Sequence, residues 1–139
     1  MGKMVDIDFQ FEHPIRASAL LGAVAKSGMT LGLGGSVNFH LTDDFEWESR
    51  NFDDIENVLE NIRRHHDHGE TVGFSARFID SEFGGSFLVP GNSRTVTFIL
   101  DAERVLLGSG QIADFSWYLS RLAPAFLEIG LVGLECHEL

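Results

Sequence analysis

Several groups of residues in this chain carry side chains that could do chemistry, and the most metal-like is Arg64-His65-His66-Asp67-His68-Gly69-Glu70. Three imidazoles and two carboxylates are ligand types that transition metals favour. The spacing argues against a shared ion: adjacent His65 and His66 point about 100° apart on a helix, whereas metal-binding pairs of the HExxH kind sit at i and i+4. Cationic residues at the end of a helix also answer its dipole. His65, His66 and His68 are therefore metal candidates in an alternative reading only, and no cofactor is implied. Carboxylate pairs for general acid and base work could be Asp6 with Glu135, or Asp8 with His40, if the strands that carry them are neighbours. Ser109, in Leu107-Gly108-Ser109-Gly110-Gln111, departs from Gly-x-Ser-x-Gly and reads as a cap for the helix that follows. Gly32-Leu33-Gly34-Gly35 leads into a strand, where a phosphate-cradling loop would lead into a helix. Cys136 falls on the inward side of an apolar strand and reads as an inert core residue. No catalytic residue is assigned.

Charge says more. Asp43, Asp44, Glu46, Glu48, Asp53, Asp54, Glu56 and Glu60 fall within residues 43 to 60, where Arg50 is the one cation, and the whole chain carries a formal charge of -11. Such a concentration attracts cationic partners and repels phosphate and anionic membrane. Ten Lys and Arg spread among twenty-one Asp and Glu make no basic stripe, so nucleic acid binding is nearly excluded as a class. Phe45 and Trp47 stand among the acids, and aromatics inside a charged rim are what specific interfaces often contain. The competing account is that acids in a first helical turn and on a solvated face are ordinary and maintain solubility.

These side chains need elements to position them, and alternation supplies the first. Val5, Ile7, Phe9 and Phe11 alternate with Asp6, Asp8, Gln10 and Glu12, the period-two pattern of a strand with one buried face. Ile15 to Lys26 reads as a helix ended by Gly28. Ser36 to Leu41 resumes alternation, and Phe45 to Glu48 is a short extended piece or a loop. Phe52, Ile55, Val58, Leu59 and Ile62 share one helical face, with Asn51 as cap, acids at the start, Arg63 to His66 at the end, and Gly69 closing. Thr71 to Asp80, Ser86 to Val89 and Arg94 to Leu100, linked by Gly84-Gly85 and Pro90-Gly91-Asn92, read as an antiparallel meander. Ile112, Phe115, Leu119, Leu122, Phe126 and Ile129 sit at helical spacing, with Pro124 kinking or restarting the helix and Gly130 stopping it. Leu131 to His137 is a last strand with Val132, Leu134 and Cys136 inward.

The sequence thus predicts an α+β fold, a two-layer sandwich of about six mostly antiparallel strands with three helices on one face. Residues 1 to 139 read as a single domain, and at this length folding buries roughly two thirds of the unfolded surface. A content of 44% hydrophobic residues with twelve Phe fills such a core. The other sheet face would present Asp6, Asp8, Gln10, Glu12, Asn38, His40, Ser75, Arg77, Thr95, Thr97, Glu135 and His137, as any half-wet sheet does. One cysteine, no signal-peptide pattern and no membrane-length apolar run point to a cytoplasmic protein.

In size, acidity, single cysteine and α+β layout, with Asp114-Phe115-Ser116-Trp117-Tyr118-Leu119 on a helix ahead of a C-terminal strand, the chain resembles small bacterial immunity proteins. The resemblance implies a protein that neutralises a toxin by binding it, and it assigns no site residue. The expected function is non-enzymatic docking of a basic protein, such as a toxin, through Asp43, Asp44, Glu46, Trp47, Glu48, Asp53, Asp54 and Glu56. The alternatives are a small metal-dependent enzyme using His65 to His68 or the polar sheet face, and a homo-oligomeric structural domain.

Overall fold

A computed structural model describes residues 4–32, 34–41 and 46–138. The elements run β1 (Val5–Phe11), α1 (Ala17–Lys26), β2 (Met29–Thr30), β3 (Ser36–His40), β4 (Glu48–Asn51), a 3-10 turn (Phe52–Asp54), α2 (Ile55–Asp67), β5 (Val72–Phe78), β6 (Gly84–Val89), β7 (Thr95–Leu100), α3 (Phe115–Glu128) and β8 (Leu131–Glu138). The fold is α+β, as the sequence predicts, with three helices. Among the described residues the sheet is antiparallel and has eight strands, more than the six expected. Its order is β4-β3-β5-β6-β7-β1-β8, with β2 paired to the far end of β5. β2 escapes sequence reading because two residues cannot show a period. The extended piece expected at Phe45 to Glu48 begins only at its last residue: the strand is Glu48–Asn51, held by the register Ser36↔Asn51 to Phe39↔Glu48, and Phe45 lies outside the described residues.

Alternation decides which side of the sheet is dry. Val5, Ile7, Phe9 and Phe11 of β1, with Phe74, Ala76, Phe78, Phe87, Val96 and Phe98 from β5 to β7, are buried. They join Leu20 and Val24 of α1, Val58 and Ile62 of α2, and Tyr118, Leu122 and Phe126 of α3 in one apolar cluster. The Phe126 ring meets Phe9 edge-on at 4.8 Å and Phe87 at 6.3 Å, which lays α3 across the strands at the middle of the sheet. Trp117 packs against Phe78, Phe83 and Tyr118 with Arg121 over its face at 3.7 Å, so it extends the aromatic packing of the core.

Four local expectations are corrected. α3 starts at Phe115, capped by the Asp114 carboxylate, which accepts from the Trp117 N–H; Ser109 lies in the preceding loop and does not cap it, and Ile112 is exposed. The helix continues through Pro124 without restarting, and that residue is on the solvent side, where water can serve the carbonyl that loses its donor. Phe52 is partly exposed, outside the apolar face of α2, since the chain there is a 3-10 turn and α2 begins three residues later. Cys136 is exposed, as are Val132 and Leu134: β8 is an outer strand, and Val132 falls in a register shift opposite Gln10/Phe11. Among the described residues, no helix is long and apolar enough to cross a membrane.

Candidate interface at the acidic edge

β4 is one end strand of the sheet, with β3 on one side and no strand on the other among the described residues. All four of its residues are exposed, as are Glu46 and Trp47 before it. The chain then turns through the 3-10 segment, where the Asn51 side chain accepts from the Asp53 N–H, and enters α2. Val58 and Ile62 face the core while Glu56 and Glu60 face water, the split that a 3.6-residue period demands. A strand end, a cap and a helix face thereby bring Glu46, Glu48, Asp53 and Glu56 out at one margin of the molecule.

Trp47, between Glu46 and Glu48 in the chain, is 43% exposed, with its ring edge-on to buried His40 at 4.9 Å. Alternation along β3 predicts His40 among the open polar positions of the sheet. It is instead fully buried, because its β5 neighbour in the ladder is Gly73: a Cβ there would come within 2.6 Å of the imidazole. The glycine makes the recess, the imidazole fills it and the indole covers it. Trp47 thus has a supported base and a free outer edge, the disposition of an interface anchor.

The chain's own cations neutralise part of the segment. Arg50 pairs with Asp54 at 3.1 Å, and Asn57 donates to the other Asp54 oxygen at 2.7 Å. The Asn57 bond first, and Arg50 second, hold the Asp54 carboxyl below its ordinary pKa. Arg63 reaches Glu60 at 3.8 Å. Glu48, Asp53 and Glu56 form no ion pair with a Lys or Arg among the described residues. Asp43 and Asp44 lie outside the described residues.

The histidine cluster is dispersed by its own structural duties. His65 Nδ1 contacts the Glu70 carboxylate. His66 is buried, accepting the Ala17 N–H at Nδ1 (3.3 Å) and donating from Nε2 to the Pro90 carbonyl (3.1 Å). His68 donates from Nδ1 to the Arg64 carbonyl at 2.8 Å. Each imidazole points to a different partner, as the helical spacing implies. A cleft of about 600 Å³ beside them, lined by Pro14, Arg16, His66, His68 and Asn92, contains no convergent set of ligands among the described residues.

On the polar sheet face, Asp8 and His40 lie four strand spacings apart, about 19 Å, and cannot act together. Asp6 and Glu135 do come close, on neighbouring β1 and β8, and His137 joins them. The period-two pattern puts all of these on one face, yet it does not say which strands are neighbours. No family model, curated protein or solved structure matches the chain.

Proposed function

We propose that the chain is a non-enzymatic binding domain that docks a basic protein through its acidic edge. The contact residues are Glu46, Trp47, Glu48, Asp53, Asp54 and Glu56, with Asp43 and Asp44 ahead of them in sequence. The observation that supports this reading is the half-exposed Trp47, propped on His40 between exposed Glu46 and Glu48 in the chain, at the start of the edge strand that leads on to exposed Asp53 and Glu56. An indole supplies a rigid apolar centre, and the carboxylates of Glu48, Asp53 and Glu56 supply a rim that steers a cationic surface into place. In this reading the helices form one layer, the sheet the other, and binding uses the margin where both end. The likeness to small bacterial immunity proteins gives the partner a class, a basic toxin.

The test uses the immobilised full chain and lysate of the source organism at low salt. Steering acts over a Debye length of about 10 Å at 0.1 M salt and about 3 Å at 1 M, so a wash at high salt should release the partner. A basic protein held stoichiometrically by the native chain should fall at least about tenfold in recovery with Glu48→Lys, Asp53→Lys and Glu56→Lys combined. All three positions are exposed, and Asp54 is left in place because it pairs with Arg50. Equal recovery with the triple variant removes the proposal.

A further inference from the structure

The opposite margin of the sheet holds a second cluster. Asp6 and Asp8 are alternate residues of β1, so both side chains stand on the face away from the core. β8 runs beside β1 with Asp6↔His137 and Asp8↔Glu135 directly opposed, while β7 on the other flank places Thr97 opposite Asp8. His137 Nδ1 lies 2.8 Å from Asp6 Oδ1 and 3.7 Å from Asp8 Oδ2. One imidazole nitrogen and one oxygen from each carboxylate all fall within 4.8 Å of one another. Ligand atoms held at about 2.1 Å from a tetrahedral ion are about 3.4 Å apart, so side-chain rotations that move these atoms by about 1 to 1.5 Å close the set.

Two further residues orient these three. The Thr97 hydroxyl donates to Asp8 Oδ1 at 2.5 Å, which turns Oδ2 toward the imidazole. Glu135 Oε2 stands 3.4 Å from His137 Nε2, on the far side of the ring from the two aspartates. A carboxylate behind the imidazole and a donor behind the carboxylate are the outer partners that fix metal ligands in place.

Charge points the same way. Three carboxylates face one imidazole, and no Lys or Arg among the described residues pairs with Asp6, Asp8 or Glu135. With the imidazole neutral, as a metal ligand must be, the three carboxylates leave negative charge that a divalent ion would offset.

We propose that Asp6, Asp8 and His137 bind a divalent first-row transition-metal ion such as Zn2+, with Glu135 and Thr97 as positioning residues. One imidazole with two carboxylates suits such an ion; Ca2+ takes six to eight oxygens, and Cys136 is on the other side of the strand and contributes no sulfur. The side of the triad toward solvent is left for water or a ligand oxygen. The site does not depend on the acidic edge, which lies at the other end of the sheet.

Tag-free full-length chain, stripped with chelator, is titrated with Zn2+ by calorimetry. One equivalent should bind, and Asp6→Asn with Asp8→Asn, or His137→Gln, should weaken binding at least about tenfold, while His65→Gln with His68→Gln leaves it unchanged. Absence of binding, or equal binding by the Asp6/Asp8 variant, overturns the site. Should those variants lose their fold by circular dichroism, the native chain decides alone. On Zn2+ addition, amide resonances of residues 6–8 and 135–137 should shift first, and shifts centred on residues 65–70 or absent altogether overturn the proposal.

Discussion

Asp101 shows how one side chain can work against the fold that holds it. It follows β7 directly, half-buried, and burial raises its carboxyl pKa while the nearby Arg77 only partly offsets that. A folded-state pKa raised above the unfolded value gives stability that is complete below about 3.8, the ordinary value, and lost as pH climbs through the raised one. Near neutral pH the ionised Asp101 is therefore a cost. Asp101→Asn should raise the urea midpoint at neutral pH and make no difference well below 3.8. A variant no more stable than the native chain at neutral pH would show that burial is not what moves this carboxyl. His66 and His40 are a related case: imidazoles that look available in a string of letters are spent on holding the backbone and filling a recess.

At the scale of elements, the histidine-rich end of α2 is a joint. α1 begins without a side-chain cap, so the N–H groups of its first turn need partners elsewhere. His66, arriving from α2, accepts the first of them from Ala17 and ties the same ring to Pro90, in the turn after β6. His66→Ala would leave the buried Ala17 donor and the part-buried Pro90 acceptor without this partner, a loss of about 1–3 kcal/mol. The measurement is chemical unfolding together with hydrogen exchange at the Ala17 amide, which should speed up in the variant. Unchanged exchange there would mean that the joint is elsewhere.

For the whole molecule, the two margins of the sheet are protected differently. β4 is short and lies in the acidic segment, which discourages pairing with a copy of itself. β8 is eight residues long and bare on its outer side among the described residues, with Val132 66% and Leu134 39% exposed and Leu127 of α3 also exposed. An outer strand of that kind is a template for self-pairing. Light scattering over a wide concentration range should show a dimer that Leu134→Lys dissociates. A concentration-independent monomer removes self-association through β8.

Period and punctuation are legible without coordinates. Val5, Ile7, Phe9 and Phe11 alternate with polar residues, as do Val96, Phe98 and Leu100, because one side of a strand must be dry; Val58 and Ile62 recur because a helix turns every 3.6 residues. Local chemistry also suffices for Asn51 as a cap, though of the 3-10 turn ahead of α2, whose own N-cap is Asp54, and for His65 and His66 pointing to different partners. What needs the tertiary structure is adjacency. His40 is buried because Gly73 is its neighbour, and Cys136 is exposed because β8 falls at a margin. Asp6 meets His137 across a sequence separation of 131 residues because β8 closes against β1. Alternation fixes the side a residue faces, being a property of one strand; it carries no information on which strand lies alongside, since that is settled by the packing of all the strands and helices together.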